Sequence, residues 1–417
     1  MLKSEGLKSV IWMSVGNVGA TVLSALAMII FSRALGPINF GIFSVLFSLL
    51  LILSRVGDLG LNISIQRHIA QNKGNQKLIN KFIRVGSSLK LILTALIFLA
   101  GIVSSGLITT SILALPPENT VYVLLVFCFS LGVIFYEYIT AVLQAIQSFS
   151  FSILCNWVQS STKLVLAFIS LIFHELSLLV ITILYLFAPV LGGIVGFAKI
   201  PLTAFMPLWD KNIVSKIISV SRWTGIAIIA ATAADNLDII IVQNFLSSYD
   251  TGLYSAATKI ASVASLFSFS LGTVLNVRVA SYKDPANLRS YIKKATLLSL
   301  LSFVAISSLS IISHPAISLT VGSEFIGAAS TLKILLVGTA ILTATSPFVA
   351  LFYLIDQPVY FALSGIIGTV LLVSGDLMLI PQHGLIGAAY ARLIMRAVVL
   401  LFTLWYAKIS FQKHYSR

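Results

Sequence analysis

Eleven ionisable residues of this 417-residue chain lie inside stretches that are otherwise apolar. They are Arg55, Asp58, Glu137, Lys163, Asp235, Asp238, Lys259, Lys333, Asp376, Arg392 and Arg396. Arg55 and Asp58 are three residues apart, as are Asp235 and Asp238, and Arg392 and Arg396 are four apart, so on a helix each pair shares a face. Two carboxylates as close as Asp235 and Asp238, when partly desolvated, compete for one proton, which is what a proton-coupling site needs. Asp58 and Glu137 are further candidates for ion coupling. The six cations outnumber the five carboxylates. That balance suits an anionic substrate such as a phosphate or pyrophosphate headgroup, for which Arg and Lys are the usual partners. Arg55, Lys163, Lys259, Arg392 and Arg396 are the candidates for holding it. A plainer reading stands beside this one: the acids neutralise Lys259 or Arg392 on neighbouring helices, and Lys333 snorkels to an interface.

The elements that carry these charges are long apolar segments. Hydrophobic residues make up 58% of the chain and charged residues 10%, with a mean hydropathy of +1.02. A soluble domain carries about 25% charge. Twelve segments are each of the roughly 20 residues that a membrane-crossing helix needs. They run Val10–Phe31, Gly41–Leu61, Leu91–Ile108, Val121–Leu143, Ile153–Phe173, Leu178–Ala198, Ile217–Val242, Leu253–Leu275, Ala295–Ser313, Ala328–Phe352, Val359–Ile380 and Leu385–Ala407. The predicted class is therefore an all-α integral membrane protein. A charge facing lipid at mid-bilayer costs at least ~2.5 kcal/mol on insertion scales, so the eleven charges are expected to face one another or a wet cavity.

The net charge of +14 raises the question of nucleic acid, but its placement argues against that. With the N-terminus in the cytoplasm, 20 of the 27 Lys and Arg fall on the cytoplasmic side, counting Arg222 at the cytoplasmic end of the seventh segment, and Arg33 alone on the other. The positive-inside rule then places both termini in the cytoplasm. The basic excess reads as topology and contact with anionic membrane lipids. All five Trp fall near predicted cytoplasmic ends, as an interfacial belt requires. Between Ser64 and Lys90, basic residues Arg67, Lys73, Lys77, Lys81 and Arg84 interleave with Ile65, Ile69, Leu78, Phe82 and Val85. This pattern predicts an interfacial helix.

Catalytic signatures are missing. There is no phosphate loop, no H-E-x-x-H and no G-x-S-x-G. The five His are scattered, and Cys128 and Cys155 lack metal-ligating neighbours. No catalytic residue, metal or cofactor is expected. A membrane-embedded polysaccharide polymerase typically has a large extracytoplasmic loop with catalytic Arg and His, whereas the outer connector Thr109–Thr120 carries only Glu118 as a charge.

The spans divide into six and six, giving expected lobes 1–205 and 206–417. A weak internal echo supports the division. Leu35 to Ser44 aligns with Leu246 to Ser255 at one offset of 211 residues, and each hairpin reaches Leu-Gly (Leu59-Gly60, Leu271-Gly272) and then an Arg (Arg67, Arg278). Six spans per half give both halves the same orientation, a symmetry found in several transporter folds and suited to alternating access.

The opening pattern Phe31-Ser32-Arg33-Ala34-Leu35-Gly36-Pro37, then Phe40-Gly41, Phe43-Ser44 and Asp58-Leu59-Gly60-Leu61, followed by a basic stretch, resembles the Wzx-type polysaccharide flippases. These belong to the multidrug/oligosaccharidyl-lipid/polysaccharide exporter superfamily. The resemblance is strongest over the first ~85 residues, and it extends to the whole chain through length and span count. It implies two six-helix bundles in a V-shaped, MATE-like arrangement in a bacterial inner membrane. It also implies translocation of undecaprenyl-diphosphate-linked oligosaccharide to the outer leaflet, driven by an ion gradient, with a polysaccharide polymerase and chain-length regulator as partners. Cationic residues of a central cavity would hold the headgroup, and Arg55, Lys163, Lys259 and Arg392 match by helix order. The first span has no acidic residue to match the one some relatives carry there. A multidrug or cation antiporter of the same superfamily is the alternative, and it calls for an acid-dominated cavity.

Overall fold

A computed structural model of the chain describes residues 2–172, 177–279, 285–354 and 358–415. The described residues form twelve α-helices joined by short π- and 3-10 turns: α1 Leu2–Asp58, α2 Leu61–Gln71, α3 Gln76–Leu107, α4 Thr120–Ala145, α5 Phe149–Ile172, α6 Leu178–Gly196, α7 Lys211–Phe245, α8 Ser248–Val279, α9 Pro285–Ser308, α10 Ser313–Thr320, α11 Ala329–Leu354 and α12 Pro358–Tyr415. Eight helical stretches among the described residues are long and apolar enough to cross a membrane. The protein is an all-α, multi-pass membrane protein.

Two of those stretches have 43 and 47 residues and as straight helices would be about 65–70 Å long at 1.5 Å per residue, more than twice the hydrocarbon thickness. Each is broken once. In α1 the break is Gly36, at φ 67° and ψ 173°, followed by Pro37. Only glycine adopts that backbone without strain, and proline suits the first turn of the helix that restarts after it. In α12 the break is Gly384, with Pro381 just before it. The breaks fall between the predicted first and second and the predicted eleventh and twelfth spans.

The chain divides into two compact units. Unit 1 comprises Met1–Leu35 and Ile42–Asn236, and unit 2 comprises Gly36–Gly41 and Leu237–Arg417. The lobe boundary read from the sequence lies in the connector before α7, while this division falls within α7.

In unit 1, α2 buries Leu61, Ser64, Ile65 and Ile69 and exposes Arg67. Ile65, Phe82, Tyr138 and Ile139 share one core. The interfacial helix predicted over 64–90 is thus two pieces. α2 ends at Gln71, and the basic residues from Lys77 onward open α3, with Lys73, Lys77 and Lys81 exposed and Phe82 and Val85 buried. Gly192 and Gly196 of α6 sit against Cys155, Tyr136 and Ile139, where a Cβ would press on neighbouring helices. This is the small-residue packing that membrane helices use. Cys155 is buried, Cys128 exposed, and both are free thiols.

In unit 2, the hairpin Gly36–Gly41 packs on the turn that opens α8. A Cβ on Gly41 would overlap the carbonyl of Ser248, and one on Gly252 would overlap the carbonyl of Pro37. The two pairs are reciprocal: Pro37 to Ser248 and Gly41 to Gly252 are both 211 residues apart. Phe40 is buried against Phe325, with ring centroids 5.8 Å apart, and fixes the hairpin. The first part of the internal echo therefore has a packing counterpart. Its later members Leu271 and Arg278, like Trp12, Lys3 and Lys8 of the topology argument, lie outside the described side chains. Trp157, Trp209, Trp223 and Trp405 are all exposed.

Candidate functional site

Unit 1 holds two ion pairs at the end of α1. Arg55 and Asp58, one turn apart, each take a partner from a different helix. Arg55 grips Glu137 of α4 with both guanidinium ends, Nη2 to Oε1 at 2.9 Å and Nη1 to Oε2 at 3.1 Å. Asp58 receives Lys90 Nζ from α3 at 2.5 Å and the backbone N–H of Asn62 at 3.1 Å. The pairs differ in solvent access. Lys90 and Asp58 are 0% and 2% exposed, whereas Arg55 and Glu137 are 32% and 19% exposed. The first pair is sealed structure. The second is within reach of a ligand, with the planar fork that carboxylates and phosphates share.

Lys90 corrects the sequence reading, which left it in the cytoplasmic basic stretch. It is fully buried, near the Tyr138 ring. The signal was present: Ile79, Phe82, Ile83, Gly86, Ser87, Lys90, Thr94 and Ile97 recur at helical spacing and all are buried. A face of small and hydroxyl-bearing residues admits a close neighbour helix, and a Lys on that face needs a buried partner.

Lys163 of α5 is buried, and its ammonium lies 4.1 Å above the Tyr185 ring of α6. Phe31, Phe43 and Phe47 surround Tyr185 edge-on, at centroid distances of 6.0, 5.4 and 5.2 Å. A cation over a desolvated aromatic face gains about 2 kcal/mol. One helical face of α5 continues this polar line: Ser160 receives the hydroxyl of Ser24 at 2.9 Å, and Asn156 joins Asn17 and Tyr136. The i, i+4, i+7 spacing of Asn156, Ser160 and Lys163 in an apolar span marked that face in the sequence.

Unit 2 holds a second cluster. Asp238 of α7 is fully buried and accepts three donors: Arg392 Nη2 of α12 at 2.6 Å, the Tyr254 hydroxyl of α8 at 2.6 Å, and the Ile239 N–H at 2.9 Å. Asp376, also of α12, is fully buried within electrostatic reach of Asp238 and Arg392. Arg396 does not join the cluster through its Nη1, which donates to Thr339 of α11 at 2.9 Å. Asp235 is exposed and belongs to unit 1, whereas its sequence neighbour Asp238 is sealed in unit 2. The two acids expected to act together therefore have different surroundings, and Asp238 instead has Asp376 as its carboxylate neighbour. Lys259 of α8 is partly buried and Lys333 of α11 is exposed.

Both units of this multi-pass membrane protein bury ion pairs between long apolar helices. The fold matches an inward-closed lipid II flippase, MurJ, with a TM-score of 0.78 over 95% of this chain and 87% of that one, at 15% identity. An inward-facing multidrug-resistance MATE family transporter matches with a TM-score of 0.78 over 97% and 100%, at 14% identity. The family described as polysaccharide biosynthesis protein matches residues 7–276, and the chain belongs to that family. A curated relative from Haloferax volcanii, the "probable low-salt glycan biosynthesis flippase Agl15", is 24% identical over 408 residues, covering 94% of this chain and 81% of its own length.

Proposed function

We propose that this protein is a flippase for lipid-linked oligosaccharides. It carries undecaprenyl-diphosphate-linked repeat units from the cytoplasmic to the outer leaflet of a prokaryotic cell membrane, for surface polysaccharide assembly. It spans the membrane twelve times with both termini in the cytoplasm, and its two six-helix lobes alternate access under an ion gradient. It has no catalytic role, and a polysaccharide polymerase and chain-length partner receive its product.

The observation that carries this reading is the cationic character of the buried polar groups in unit 1. Arg55 is partly open to solvent and Lys163 is held on an aromatic face, and beside them Lys90 consumes the charge of Asp58. Arg55 can exchange one carboxylate-shaped partner, Glu137, for a phosphate of similar geometry. Lys163 gains more from a diphosphate than from a ring quadrupole. The family and the relatives named as glycan and lipid II flippases support the same class of cargo.

A strain lacking the protein tests this. Complete lipid-linked repeat units should accumulate on the cytoplasmic face, relieved by the wild-type chain and not by Lys163→Ala. Absence of accumulation together with sensitivity to cationic dyes would move the reading to a drug exporter.

A further inference from the structure

Among the described residues, the buried cluster of unit 2 holds more acid than base. Asp238, Asp376 and Arg392 carry two carboxylates against one guanidinium. Asp238 has what an ionised carboxylate needs, accepting from Arg392, Tyr254 and the Ile239 backbone. Asp376 is fully buried, and neither of its oxygens has a hydrogen-bond partner among the described residues. An isolated ionised carboxylate in such a place loses its hydration with nothing in return. Among the described residues, the charged and titratable groups facing it are Asp238 from α7, Tyr254 from α8 and Arg392 from its own helix α12, while Arg396 turns Nη1 to Thr339 of α11.

The geometry points to a binding site for one proton at Asp376, with Arg392 as the fixed cation that the two carboxylates share. A hydronium ion of the aqueous phase gives up the proton: its O–H bond breaks to leave water, an O–H bond forms on one Oδ of Asp376, and the cluster becomes neutral. Release of the proton leaves two carboxylates competing for Arg392, whose guanidinium then has a reason to turn from Asp238 toward Asp376. Two discrete pairings of one cation are the kind of bistable element that a driving ion can bias. A metal cation is disfavoured because Arg392 already sits on the Asp238 oxygen that would ligate it. The coupling role rests on the transport reading, but the proton site does not.

The test is infrared spectroscopy of the purified full chain in lipid vesicles at neutral pH, without substrate. The wild type should show the carbonyl stretch of a buried protonated carboxyl, unchanged when Na+ replaces choline. Asp376→Asn should lose that band. Asp238→Asn should lose it as well, though Asp376 is still present, because Asp376 then takes the place of Asp238 as the carboxylate beside Arg392 and is ionised by it. A band that persists in Asp376→Asn, or that persists in Asp238→Asn, overturns the assignment. So does a wild-type band that disappears on adding Na+, which needs no variant to fold and would make the site a metal site. A retained band in a protein that moves no lipid-linked glycan would remove the flippase reading and leave the proton site standing.

Discussion

At the residue scale, the two pairs at the end of α1 make opposite predictions. Lys90→Ala leaves Asp58 buried without its cation, and breaking a sealed pair in this way costs about 3–5 kcal/mol. Thermal melting in detergent should show a large drop, and Lys90→Met with Asp58→Leu should recover much of it. Arg55→Ala acts on a more exposed pair, so it should melt close to wild type and still fail to clear lipid-linked oligosaccharide. A normal surface polysaccharide in Arg55→Ala would remove that residue from the transport path. Tyr185→Leu removes the face under Lys163, while Tyr185→Phe keeps it. Export should fall well below wild type in the first and stay near it in the second, measured at matched protein levels.

The same residues show how much of the site the sequence carried. That charges in apolar spans must find partners followed from the insertion cost alone, and Arg55, Asp58, Glu137, Asp238 and Arg392 all have partners. Which partner each takes was not legible. Asp58 pairs with Lys90 and not with Arg55 one turn away, because α3 supplies a fully buried cation and sequence spacing says nothing about which helix lies alongside. Lys90 was lost for a related reason: a positively charged residue at the edge of a span reads as a loop anchor until the small-residue face beneath it is noticed. The sharing of a face by Asp235 and Asp238 followed from spacing, but a helix can pass from open to sealed surroundings within one turn.

At the scale of elements, the helix positions were legible because apolar length is a strong signal: each predicted span lies within or largely within a helix, and eight stretches among the described residues are long and apolar enough to cross a membrane. The breaks at Gly36 and Gly384 were legible as connectors between spans, but not that helix continues up to a single non-helical glycine in each of α1 and α12. Gly41 illustrates what a family-like pattern encodes physically. It is a backbone contact, and Gly41→Ala or Gly252→Ala must push a carbonyl away. Either change should reduce folded protein sharply, measured by recovery after gel filtration. Gly106→Ala, where a Cβ meets nothing within 4 Å, should be neutral or slightly stabilising.

At the scale of the whole molecule, the proposed topology follows from the distribution of Lys and Arg. A reporter enzyme active only outside the cell, fused after Arg417, should give no signal, and one active only in the cytoplasm should give a strong one. The opposite result would invert the orientation and with it the direction of transport.

The reciprocal glycines have a consequence for how the chain is put together. Residues 36–41 leave the first half of the sequence, lodge in unit 2, and return. Residues 206–236 of the second half belong in turn to unit 1, so each half of the sequence contributes a segment to the other half's unit. Cutting the chain at 205/206 should then give two fragments that fail alone and rescue each other when made together, because each leaves behind a surface shaped for the other's backbone.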